Sequence, residues 1–150
     1  MNTSAATALS KYGAVAVTTC SPGQLLVMLY DGLFRFLAEA KAAMERGDRK
    51  RAGERLSRSH AILEQLLAAL DPTHNPTLCE QLMPLYRWCM SHLVEANARQ
   101  RTESIDEVMR VLNPLRDAWK TAVAQVAADR PPDNVIPLRR CALAPPPCPP

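Results

Sequence analysis

Ser21-Pro22-Gly23-Gln24 is a complete helix-start signal, and Asn75-Pro76 repeats its cap-then-proline core where another long apolar periodicity begins. The Ser21 hydroxyl can accept from a free first-turn N–H, and Pro22 sits where its missing N–H costs nothing. Gln24, three residues after Ser21, completes a capping box. After these starts apolar residues recur at threes and fours, the period of an α-helix. The one β-branched alternation, Ala14-Val15-Ala16-Val17, is too short to build a sheet alone. Such a chain is committed to helices.

Four helices can be placed. The first runs from Pro22 to about Arg46, with Leu25, Met28, Leu29, Leu33, Phe36, Leu37, Ala40 and Met44 on its stripe. Gly47 suits the left-handed position after a helix end, and Asp48 caps the second helix, Arg49 to about Leu70. So short a joint makes these two helices antiparallel. The loop 71–76 leads into the third helix, Pro76 to about Gln100. The fourth begins between Thr102 and Ser104, where Ser104 and Glu107 suggest another capping box. Lengths of roughly 33–38 Å at 1.5 Å per residue match, so the economical arrangement is an all-α, antiparallel, up-down-up-down four-helix bundle. A hairpin of the first two helices that closes only on a dimer partner is the alternative. Pro84 and Pro114 lie inside the third and fourth helices, each costing roughly 3 kcal/mol there. Each helix is expected whole but kinked, with breakage into two shorter helices as the other outcome.

The chain divides into an irregular arm (1–20), a bundle (21–128) and a Pro-rich tail (129–150). The tail holds eight of the thirteen prolines and has little to bury, so it is expected to be disordered. No basic start with an apolar run suggests a signal peptide, and no apolar stretch is long enough to span a bilayer. Five cysteines, Cys20, Cys79, Cys89, Cys141 and Cys148, fit no zinc spacing. A cytosolic protein with reduced thiols is expected.

Catalytic chemistry is not evident. None of the five glycines forms a phosphate loop, and His60, His74 and His92 fall on different elements. A di-metal bundle would need two Glu-x-x-His pairs, and only a reversed His92-x-x-Glu95 occurs. No catalytic residue, cofactor or metal is expected. The basic run Lys41, Arg46, Arg49, Lys50, Arg51, Arg55 and Arg58 is offset by Glu45, Asp48 and Glu54. Arg51, Arg55 and Arg58 share a helix face. A solvated face is the plain reading and an acidic partner the alternative. Nucleic acid is disfavoured, because the run has no interleaved aromatics and the net charge is only +3. The apolar residues exceed one buried stripe. Leu26, Val27 and Phe34 lie off the first stripe, and Tyr86 and Met90 flank the third. Taken singly, each of these residues is expected to widen the core stripe; as a set they point to a surface that takes a partner helix.

These residues carry a resemblance. Tyr12, Val17-Thr18, Ser21-Pro22, Leu25, Leu29-Tyr30-Asp31-Gly32 and Phe36-Leu37 form an ordered series. It continues through Leu82, Leu85-Tyr86, Leu93, Ala96-Asn97, Ile105-Asp106-Glu107-Val108, Leu112, Leu115-Arg116 and Ala118-Trp119. The chain resembles the FliS family of flagellar export chaperones over about residues 12 to 123. The resemblance implies a cytosolic, non-enzymatic chaperone, an antiparallel four-helix bundle with the N-terminal arm packed against it. It implies binding of the flagellin C-terminal region, prevention of premature polymerisation, and delivery to a flagellar export gate component. No nucleic acid or membrane insertion is implied, and monomer and homodimer both stay open. An adaptor for another flagellar or secretion protein is the alternative. The matched positions expected at the client or arm groove are Tyr12, Val17, Leu25, Leu29, Tyr30, Tyr86, Leu93, Asn97 and Trp119. Pro84, Pro114 and the two-proline loop at 71–76 depart from the family pattern, and the tail matches nothing in it.

Overall fold

A computed structural model describes residues 21–129. The arm and the tail, with Tyr12 and Val17, lie outside the described residues. Four helices follow in order: α1 (Pro22–Glu45), α2 (Arg49–Ala68), α3 (Pro76–Arg99) and α4 (Thr102–Asp129). Helix α1 packs on α2 and α4, and α3 packs on the same two. Sequence neighbours are therefore spatial neighbours and α4 closes the ring on α1, the up-down-up-down bundle expected.

Local chemistry explains each boundary. Ser21 Oγ accepts from the Gln24 N–H at 3.2 Å, and Gln24 Oε1 accepts from the Ser21 N–H at 3.0 Å. Gly47 takes φ +76°, and the Asp48 N–H reaches back to the Ala43 carbonyl at 2.9 Å, so the end of α1 is tied off by a left-handed turn. Asp48 and Asn75 cap α2 and α3 through the N–H groups of Arg51 and Leu78, at 3.1 Å each. In the loop between them, Asp71 accepts from the Thr73 N–H and hydroxyl and meets His74 Nδ1 at 2.7 Å. These bonds hold its carboxyl below the ordinary carboxylate range, the Thr73 hydroxyl contributing most. Gln100 makes the last reversal at φ +54°. The expected capping box at Ser104 is not formed. Helix α4 starts at Thr102, which puts Ser104 in its first turn, facing inward and buried.

The buried positions repeat at alternating fours and threes: Ala52, Leu56, Ser59, Leu63 and Leu66 on α2, and Leu82, Tyr86, Cys89, Leu93 and Ala96 on α3. This is the seam of near-parallel helices packed side by side. Of the set that pointed to a partner surface, Phe34 and Tyr86 belong to this core, the reading expected of each taken singly. Their large rings fill the interior between smaller aliphatic neighbours, and helical spacing alone does not say how deep a stripe reaches.

Pro84 and Pro114 do not break their helices. Both rings are exposed, as are Glu80 and Arg110, whose carbonyls each proline leaves without an intrahelical donor. The packed faces of both helices stay intact, with Leu82, Tyr86, Val108 and Leu112 buried.

Candidate functional site

The core is not closed equally at both ends. Where α1 ends and α2 begins, small residues (Ala40, Ala43, Ala52 and Ala96) are fully buried and let the helices approach. Toward the other end the stripe of α4 passes from buried Leu112 to half-buried Leu115, Trp119 and Val123, then to exposed Val126. Leu25, at the start of α1, is 39% exposed and Met28 51% exposed. The apolar periodicity thus continues past the last fully packed layer and leaves apolar surface at this end of the bundle.

Grooves form there, and two of them share Trp119. The first, about 470 Å³, lies across the end, walled by Leu25 and Leu29 of α1, Leu66 and Leu70 of α2, Leu78 and Leu82 of α3, and Trp119 of α4. The second, about 550 Å³, runs between the start of α1 and the last turns of α4, along Gly23, Leu26, Ala122, Val123 and Val126. Pro22, Leu26 and Trp119 line both, so the indole is the ridge they share.

Beneath this ridge the Tyr30 and Tyr86 hydroxyls meet at 2.6 Å, both residues almost fully enclosed. Burial raises the pKa of each phenol. The Trp119 indole N–H faces the Tyr30 hydroxyl but does not reach hydrogen-bonding geometry. Cys89, deeper in the same core, has its thiol pushed up to about 12 by burial.

The Leu29-Tyr30-Asp31-Gly32 motif is resolved residue by residue. Leu29 lines the end groove, and Tyr30 bonds to α3. Asp31 Oδ1 lies 2.8 Å from Arg116 Nε and 3.1 Å from Lys120 Nζ on α4. Gly32 faces α2, where a Cβ would stand 3.7 Å from Ile62 Cδ1. Four consecutive residues tie α1 to all three other helices. Asp106 of the second motif pairs with Lys41 at 2.8 Å, and Glu107 lies 3.3 Å from His92 Nε2. Much of the ordered series is therefore scaffold that places the groove.

Of the described residues expected at the groove, Leu25, Leu29, Tyr86 and Trp119 come together at the end of the bundle, and Tyr30 lies just under them. Leu93 and Asn97 do not join them. They line a separate depression of about 240 Å³ between α2 and α3, with His60 and Val94. The α2 and loop side of the groove, Leu66, Ala69 and Leu70, was not singled out from the sequence, because those leucines sit on an ordinary stripe. The legible signal was length: the stripes of α2 and α4 run on past the layer that closes the core.

Among the described residues no cluster of His, Cys, Asp or Glu could hold a metal ion, and no helix is long and apolar enough to cross a membrane. What the grooves offer is apolar surface with a thin polar rim, suited to an amphipathic helix.

The family model described as flagellar protein FliS matches residues 5–126. The chain is similar to the flagellar secretion chaperone FliS of Bacillus subtilis, 33% identical over 119 residues that cover 79% of this chain and 88% of that protein. It is similar to the protein of the same name from Salmonella typhimurium, 36% identical over 106 residues, 70% of this chain and 78% of that one. The Escherichia coli protein of that name is 31% identical over 109 residues, 72% of this chain and 80% of its own length.

Proposed function

The chain belongs to the FliS family of flagellar proteins, and on that premise we propose that it is a cytosolic secretion chaperone for flagellin, working by binding alone. The C-terminal segment of flagellin lays apolar helix faces into the two grooves beside Trp119. Covering those faces prevents premature polymerisation, and the complex carries the client to the export gate. The observation that supports this most is the run of apolar periodicity beyond the closed core, which leaves Leu25, Leu29, Leu66, Leu78 and Trp119 around an open groove.

A client that is disordered when free loses conformational entropy as it binds, so affinity stays moderate for the surface covered. Binding and release then follow mass action, without a nucleotide step. Ser21 and Pro22, where α1 begins, line the groove beside Trp119.

Calorimetry with a peptide from the C-terminal end of the host flagellin tests the reading. The expected result is a one-to-one complex that Leu29→Glu weakens at least about tenfold, since a charge would be buried against apolar walls. No heat at concentrations on the order of 100 µM would remove flagellin as client and favour an adaptor for another flagellar protein.

A further inference from the structure

The seam between α1 and α2 leads out of the end groove into a cluster of positive charge. Along α1 the outward order is Leu25, Leu29, Gly32, Phe36, and along antiparallel α2 it is Leu66, Ile62, Arg58, Arg55. Phe36 stands seven residues from Leu29, roughly 10 Å at the helical rise. The guanidinium carbons of Arg35, Arg55 and Arg58 lie 5.1, 5.7 and 5.8 Å from the Phe36 ring centroid. All three are within cation–π range of one half-buried ring. One carboxylate serves the group: Glu39 lies 2.8 Å from Arg55 and 4.0 Å from Arg35. Among the described residues Arg58 has no ion-pair partner, and Arg51, four residues before Arg55, extends the stripe.

Three like charges held around one ring, with one carboxylate between them, repel each other. An anionic partner relieves that repulsion and gains forked hydrogen bonds from planar guanidiniums. Because the seam opens from the α1–α2 wall of the groove, a chain that leaves the groove between these two helices runs onto the cluster. We propose that the α1–α2 seam takes an acidic stretch of the bound polypeptide, immediately flanking the apolar stretch that fills the groove. The inference rests on the proposed binding reading and adds the chemistry of the partner: an apolar helix flanked by Asp or Glu. A protein partner is favoured over nucleic acid because Phe36 is packed under the arginines and is not free to stack on a base.

The test uses the full chain and two synthetic amphipathic helical peptides, identical except that one carries four Glu and the other four Gln at each end. At about 50 mM salt the Glu peptide is expected to bind about tenfold tighter, and at about 500 mM the difference falls below about twofold. Arg35→Gln combined with Arg58→Gln removes the difference and leaves the Gln peptide unaffected. Leu25→Glu weakens both peptides. Equal low-salt affinity of the two peptides for the wild-type chain overturns the proposal and leaves the groove reading intact. If neither peptide binds, the groove reading fails, and a Glu-only peptide decides the seam. Its binding to wild type but not to the double variant supports an acidic partner, and its failure to bind overturns one. Tighter binding of a poly-dT oligonucleotide than of the Glu-only peptide also overturns the proposal, in favour of nucleic acid.

Discussion

Tyr30 and Tyr86 show how a buried polar pair constrains both the fold and the site. Each hydroxyl is the other's partner at 2.6 Å, far from water. Tyr30→Phe or Tyr86→Phe alone strands one buried hydroxyl and is expected to cost about 1–3 kcal/mol. The double variant strands none, so its cost should fall below the sum of the singles in a chemical-denaturation cycle. Strict additivity would mean that the pair is not coupled. Titration follows from the same burial. The Cys89 thiol moves from its ordinary 9.0 up to about 12, and both phenols move up from 10.0. These are acids whose neutral forms the fold prefers. Their contribution is fully present below the unfolded values and is lost as pH rises through 9 toward 12. The denaturant midpoint should therefore hold to about pH 9 and then decline, and a midpoint flat to about pH 11 would contradict the burial.

At the scale of the helix, caps and interior prolines act independently of packing. Four starts and stops are set by neighbours within a few residues, which is why the boundaries at Ser21, Gly47, Asp48 and Asn75 were readable before any tertiary contact was known. Ser104 was misread for a reason of the same kind. A Ser followed three residues later by Glu signals a cap only if the helix starts there, and here the Ser is small enough to be buried inside the first turn. Pro84 lies on the exposed face of an unbroken helix. Pro84→Ala restores a donor to the Glu80 carbonyl without touching the core, so it should stabilise by about 1–2 kcal/mol and raise Tm by several degrees. A lower Tm would show that the ring at position 84 helps to seat Leu82 and Tyr86.

For the whole molecule, one end of the bundle is shut by alanines and the other is left open by leucines, with Trp119 on the ridge between two grooves. The chain has two tryptophans, so Trp88→Phe leaves Trp119 as the sole reporter. Trp88 is 36% exposed and stacks on His92, with centroids 3.9 Å apart, away from both grooves. Adding the flagellin peptide to that variant should shift Trp119 emission to the blue as water leaves the indole. An unchanged spectrum with binding still seen by calorimetry would place the client elsewhere.

The sequence by itself determined the class and, among the described residues, the number of helices, their near-exact limits and their antiparallel order, because caps, turns and heptad spacing act over a few residues. The resemblance pointed to Leu25, Leu29 and Trp119 for a client groove, and these three line one groove at the end of the bundle. Only the tertiary structure decided which apolar residues close the core and which remain for a partner. Phe34 and Tyr86 turned out to be interior, Leu93 and Asn97 stand apart from the end groove, and the charge on α2 proved to converge with Arg35 on Phe36. The physical reason is that a helical stripe specifies a direction, whereas burial depends on what the other three helices bring to the same layer.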